Sequence, residues 1–396
     1  MKLSEELQWR GFVNQTTFKN NDAIDGAPIT FYWGVDPSAD SMTVGNLAPA
    51  LMARHFINHG HKAVLLVGGA TGMIGDPDGK DEERQLKSLD EIAKNKAGIV
   101  AQYKQVFAGQ DFTVVDNYDW FKDFGYLQFL RDIGKHFSMT QLLQRDFVQS
   151  RIGKDGKGIS YAEFSYSLIQ GYDFLHLFRN NGVTLQICGA DQWGNCLSGV
   201  ELIRKLDGKE AHVWSSPLVV NKATGKKFGK SEGGAVWLSA AKTSVFDFYQ
   251  FWLNTDDDGV LDYLKIYTLL SKDDIVKIIN EFKQNPAERL AQKTLAYEVT
   301  KLVHGQAEAD KAKAATTALF SGEANELTPT LALEPGDYDI VGILVRANLV
   351  TSNSEARRLL DQGGIKHNQQ KVTTPKVALA KGDVLQAGKR RFVKIV

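Results

Sequence analysis

Four short runs rich in β-branched and aromatic residues, at 29–35, 63–67, 112–115 and 184–188, are separated along the first half of the chain by longer stretches of helical periodicity. Between the first two, Val44, Leu47, Ala48, Leu51, Met52, His55 and Phe56 recur at three- and four-residue spacing and predict a helix with one buried face. Pro49 fits only near the start of that helix, and Gly60 ends it. The alternation predicts an α/β fold: a doubly wound, Rossmann-like parallel sheet with ligands at the carboxyl ends of its strands, where helix N-termini offer free N–H groups. Residues 36–46 fall there. The glycine-rich run at 68–76 follows the second strand but lacks both dinucleotide and P-loop spacing, so a tight strand-to-helix turn is the ordinary reading. An aromatic-rich insertion at 117–162, with Trp120, Phe121, Phe129 and Phe137, suits either core or a subunit interface. From about 244 to 320 the pattern is helical, and the Ala-, Thr- and Glu-rich stretch 306–329 fades into a linker.

Candidate chemistry collects at two places. Tyr166, Gln170 and Asp173 stand at i, i+4 and i+7, on one helix face amid Leu168, Ile169, Phe174, Leu175 and Leu177. Polar groups in such surroundings must find partners, and a capped core network is the bland reading. Asp191 and Gln192, directly after the fourth strand, favour a pocket for a small polar molecule. Downstream, Lys227-Phe228-Gly229-Lys230-Ser231 sets two lysines about a small hinge, a cation pair suited to a polyphosphate. Alone, a loop between Gly225 and Gly233 is more often a solvated turn. Together the two places point to nucleotide-dependent activation of a small substrate.

In order along nearly the whole chain, these residues resemble the class I aminoacyl-tRNA synthetases, specifically the bacterial-type tyrosyl-tRNA synthetases. The likeness runs through Tyr32-Trp33-Gly34-Val35-Asp36-Pro37-Ser38, Val67 to Pro77, Asn117-Tyr118-Asp119-Trp120-Phe121, Asp191-Gln192-Trp193-Gly194-Asn195 and Lys227 to Gly234. It implies a tyrosine–tRNA ligase that forms tyrosyl-adenylate from ATP, with Mg²⁺ accompanying the nucleotide, and then charges tRNA. Tyr32 and Asp173 would read the substrate phenol, Asp76, Tyr166 and Gln170 its ammonium, and Gln192 its carboxylate. Asp191 would hold the ribose; Asp36, Ser38, Thr43, Gly45, Asn46, Gly189 and Ser231 would contact ATP. Lys80, Arg84, Lys227 and Lys230 would stabilise the departing pyrophosphate without a general base. Where the family usually has His-Ile-Gly-His, this chain has Thr43-Val44-Gly45-Asn46, which keeps hydrogen bonding and loses charge. A catalytically silent RNA-binding relative and a tryptophanyl relative are the rival readings.

Charge changes the picture at the C-terminus. The chain is neutral overall, yet residues 334–396 hold 11 Lys+Arg against 6 Asp+Glu, net +5, which leaves 36 against 41, net −5, for the rest. With Ser354-Glu355-Ala356-Arg357-Arg358-Leu359-Leu360 as an amphipathic helix and 363–368 as a turn into a strand, this part resembles a small RNA-binding fold shared with a ribosomal protein. Arg357, Arg358, Lys366, Lys389, Arg390 and Arg391 become candidate phosphate contacts. The expected organisation is a catalytic domain at 1–220 carrying a dimerisation insertion, a nucleotide-loop and helical tRNA-binding domain at 221–320, a linker at 321–333 and the RNA-binding domain at 334–396. A length of 396 residues exceeds one usual core, and 43% hydrophobic with 24% charged residues is ordinary for a globular protein. The N-terminus, charged at Lys2, Glu5, Glu6 and Arg10, has no apolar run of signal or membrane type, so a cytoplasmic location without a membrane partner is expected, while the resemblance implies a homodimer. Cys188 and Cys196 read as buried thiols, and no metal site is expected.

Overall fold

The computed structural model describes the chain except residues 78–85, 153–155, 223, 226–227, 232–233, 322–328 and 389–390; of residues 146–147, 230–231 and 319–321 it describes the backbone alone. Two compact units result, one from residues 1–242 and 256–291, the other from 243–255 and 292–396.

The first unit is built on a six-stranded sheet: β1 (Gln15–Thr16), β2 (Thr30–Val35), β3 (Lys62–Val67), β4 (Phe112–Asp116), β5 (Leu185–Gly189) and β6 (His212–Ser216). Its order is β1-β6-β5-β2-β3-β4, parallel throughout save for antiparallel β1. All four expected strands form. Two were not foreseen: β1 has only two residues, and β6 mixes polar and apolar positions too briefly to show a period. From β2 the chain winds outward through β3 to β4, then returns to place β5 on the other flank of β2, with Tyr32 opposite Gln186. A crevice opens where the winding reverses, at the carboxyl ends of β2 and β5.

Local sequence explains what borders that crevice. The helix Val44–Asn58 buries Val44, Leu47, Leu51, Met52 and Phe56, and Pro49 sits in its second turn. Gly60 follows with φ +89°. The turn after β3 needs glycine for space: a Cβ on Gly68 would lie 2.1 Å from Asp36 Oδ1, and one on Gly69 would lie 2.2 Å from Asp116 Oδ1. Ser160 caps the long helix Tyr161–Asn181, which packs on the helix Trp193–Asp207 where Gly199 lets Phe174 approach. Cys188 and Cys196 are buried thiols, not joined in a disulfide. The insertion forms short helices that leave Tyr126, Leu127 and Met139 exposed.

In the second unit, helices Val245–Leu253, Leu290–His304 and Gln306–Ser321 precede a small α+β module. The stretch from Gln306 read as fading into a linker is helical to Ser321, and Thr330–Leu331 is a strand. Alanine outweighs threonine there: Ala309, Ala312 and Ala315 are buried along one face. In the module Ser352 caps the helix Asn353–Asp361, and Thr330–Leu331 pairs parallel to the final strand Arg391–Ile395.

Candidate functional site

The crevice is a cleft of about 290 Å³. β2 contributes Tyr32, the loop after it Asp36 and Ser38, and the next helix N-terminus Thr43, Gly45 and Asn46. The helix Tyr161–Asn181 contributes Tyr166, Gln170 and Asp173; the turn after β5 contributes Gly189, Asp191 and Gln192; Asp76 closes the ring. Every expected substrate residue and seven of the expected nucleotide residues therefore line one cavity. The remaining nucleotide residues lie in the lysine loop.

At the deep end, both oxygens of buried Asp173 are occupied: Asn117 Nδ2 donates at 3.0 Å and Trp120 Nε1 at 2.9 Å. Burial nonetheless dominates and pushes the Asp173 carboxyl up to about 8, against those two bonds. Tyr32 faces the same interior with its hydroxyl buried and unpartnered, and burial drives its pKa well up, so it stays a neutral donor. Midway, Tyr166 Oη donates to Asp36 Oδ2 at 2.7 Å and Thr71 Oγ1 to Asp36 Oδ1 at 2.6 Å. Gln192 Nε2 donates to Asp76 Oδ2, while Gln170 Oε1 is buried without a partner. Empty buried acceptors and donors are costly, roughly 1–3 kcal/mol each, and mark places for ligand groups.

The mouth is built differently. Thr43 caps the helix Val44–Asn58, and its N–H and hydroxyl both donate to Asn46 Oδ1 at 3.0 Å. The two replaced positions thus bond each other, leaving the Asn46 amide group and the helix dipole toward an anion. Three backbone bonds hold the lysine loop beside this turn: Phe228 N to Val219 O at 2.8 Å, Val236 N to Gly229 O at 2.9 Å and Val44 N to Val236 O at 2.9 Å. Gly229, at φ +91°, is there because a Cβ would come within 3.1 Å of Gly45 N. The backbone of Lys230 and Ser231 pairs with Gly234–Ala235. Lys80, Arg84 and Lys227 lie outside the described residues.

Asn117, Trp120, Thr71 and Gln186 were not assigned roles from sequence. Asn117 and Trp120 directly follow β4 and carry donors three residues apart, a readable signal. Gln186 shows none: its buried, unpartnered Oε1 follows only from pairing with β2. In the C-terminal module Arg357, Arg358 and Lys366 are exposed. Arg391 instead pairs with Glu355 at 2.8 Å, and Lys389 and Arg390 lie outside the described residues.

Residues 25–321 match the family model of class I tRNA synthetases (W and Y), and residues 341–385 that of the S4 domain. A tyrosine–tRNA ligase of Limosilactobacillus fermentum is 41% identical, covering 99% of this chain and 98% of its own. A tyrosine–tRNA ligase 2 of Bacillus cereus is 44% identical, covering 94% and 92%. Among solved structures, a C-terminally truncated mitochondrial tyrosyl-tRNA synthetase of Aspergillus nidulans superposes with TM-score 0.73 at 31% identity, covering 80% of this chain and 94% of that one.

Proposed function

The chain belongs to the class I tRNA synthetases of the tryptophan and tyrosine group, and from that premise we propose how its residues divide the work. It joins tyrosine to tRNA, with ATP as substrate. Tyr32 donates to the tyrosine phenol oxygen and Asp173 accepts its proton side. Asp76, Tyr166 and Gln170 hold the ammonium, and Gln192 orients the carboxylate. Asp191 holds the ribose, while Asp36, Ser38, Thr43, Gly45, Asn46, Gly189 and Ser231 surround the remaining nucleotide. The observation that carries this division is the pair of buried, unpartnered atoms, Tyr32 Oη and Gln170 Oε1, on two residues that line the same cleft.

The carboxylate oxygen then attacks the α-phosphorus in line; a P–O bond forms and pyrophosphate leaves with the electron pair. Lys80, Arg84, Lys227 and Lys230 neutralise it. A terminal ribose hydroxyl of tRNA next attacks the activated carbonyl and releases AMP. Catalysis is positioning and charge stabilisation. Mg²⁺ would accompany the ATP phosphates and help neutralise their charge.

The basic module at 334–396, through Arg357, Arg358, Lys366, Lys389 and Arg390, serves tRNA, as does the helical region within 221–320. The exposed apolar side chains of the insertion fit a homodimer contact. No helix among the described residues is long and apolar enough to cross a membrane; the proposed location is the cytoplasm. Pyrophosphate exchange tests the reading: it should require tyrosine and fail with tryptophan or no amino acid. Exchange with tryptophan, or none with either, would overturn it.

A further inference from the structure

Arg145 belongs to the insertion, yet its guanidinium reaches the helix that follows the turn bearing Asp191 and Gln192. Nη2 donates to Ser198 Oγ at 2.7 Å and Nη1 to Asn195 Oδ1 at 3.5 Å, two residues one turn apart on the helix Trp193–Asp207. Both acceptors are neutral side chains. Burial draws its pKa down, and no charged partner among the described residues offsets it. Such a charge is costly to keep for packing alone.

Its use lies in polarity. Arginine has only donors. Asn195, itself buried, must turn Oδ1 toward Arg145, which points Nδ2 the other way, and Nδ2 donates to Gln192 Oε1 at 3.4 Å. Gln192 is thereby left with Nε2 facing the cleft, where it donates to Asp76 Oδ2. Free carboxamides can flip, since their two ends differ little in shape. Here a fixed cation at one end sets the direction of each amide in turn, and neighbouring hydrogen bonds reinforce it.

We infer that Arg145 is a positioning residue for the adenylation step: through Asn195 it locks the Gln192 amide with its N–H groups toward the substrate carboxylate. A flipped Gln192 would present Oε1 to both Asp76 and that carboxylate and repel them. The inference rests on the proposed reading of Gln192 as the carboxylate's partner.

The test compares tyrosine with tyramine, which keeps phenol and ammonium and lacks the carboxylate. In the full-length protein, Arg145→Gln should weaken tyrosine, measured by binding and by exchange, about tenfold, the size of one charged hydrogen bond. Inhibition by tyramine should change less than twofold. Arg145→Lys, which still only donates, should recover most of the loss. In a Gln192→Ala background, Arg145→Gln should add nothing. Equal losses for tyrosine and tyramine in Arg145→Gln, or additive losses in the double variant, would overturn the inference. Gln192→Ala alone separates the premise from it: if that variant fails to distinguish tyrosine from tyramine, the reading of Gln192 is wrong. If it does distinguish them and Arg145→Gln does not, only the role of Arg145 is.

Discussion

The two ends of the cleft are made of different materials. At the deep end, side chains on a strand and a long helix do the work, and Asp173 is clamped by Asn117 and Trp120 while Tyr32 keeps its hydroxyl unpaired. At the mouth, Thr43 and Asn46 bond one another, and a helix N-terminus and the backbone of the lysine loop face the same space. A ligand group read by fixed side chains is discriminated when it binds. Charge that develops during reaction is better met by N–H groups and cations that matter most in the transition state. Substitutions at the deep end should therefore show in affinity and specificity, and those at the mouth in rate.

The largest effect should come from Lys230→Ala. Its exchange rate should fall by about 100-fold or more with tyrosine affinity held within about twofold, as for loss of a transition-state contact. Rapid-quench adenylation beside equilibrium tyrosine binding measures both, and a matching loss of binding would erase the contrast between the two ends.

Next comes Asp173→Asn, where tyrosine kcat/KM should drop by roughly 10- to 100-fold, since a charged hydrogen bond is worth about 1.5–3 kcal/mol. The carboxyl must be ionised to accept the phenol proton, and burial raises it from 3.8 to about 8. Wild-type affinity should thus strengthen as pH rises toward 8, and the variant's should be flat. Stability runs the other way. Between those two values the folded chain holds a proton that the unfolded chain has lost, so stability falls as pH rises through that window. Asp173→Asn should remove this decline, read as thermal midpoints across pH. A wild-type midpoint that rises over the window would show that the carboxyl is ionised in the fold.

Tyr32→Phe should cost tyrosine only about three- to tenfold, yet narrow its advantage over phenylalanine, because the variant no longer strands a buried hydroxyl when the smaller substrate binds. The unliganded variant should also melt no lower than wild type. An unchanged tyrosine-to-phenylalanine ratio would mean other groups read the phenol.

Smallest is Asn46→Ala, which removes one side of the capping box. About 1 kcal/mol of helix capping should be lost, a shift of roughly 2–4 °C in Tm, with a few-fold fall in exchange rate and no change in tyrosine affinity. A tyrosine effect of equal size would join the two ends into one unit.

Much of this was legible in the chain. The helical period through Tyr166, Gln170 and Asp173 places them on one face whatever else the protein does, and the four strand runs dictate a sheet edge for Asp36 and Asp191. The helix Gln306–Ser321 keeps to the helical span read to 320 and is held by buried alanines, not hydrophobic bulk, so its fading pattern marked weak apolar bulk and not yet the linker expected at 321–333. β1 escaped notice because two residues carry no period.

Local periodicity and motif order, then, determined the sheet, the helix faces and the residue types that line the cleft, because backbone geometry converts spacing directly into direction. Only tertiary structure decided which atoms are satisfied. That Asp173 is occupied by Asn117 and Trp120, that Tyr32 and Gln170 keep open positions, and that Arg145 reaches Asn195 across 50 residues all depend on where the winding of the sheet brings distant segments together. Burial and hydrogen-bond partnership belong to that three-dimensional environment, and no spacing along the chain encodes them.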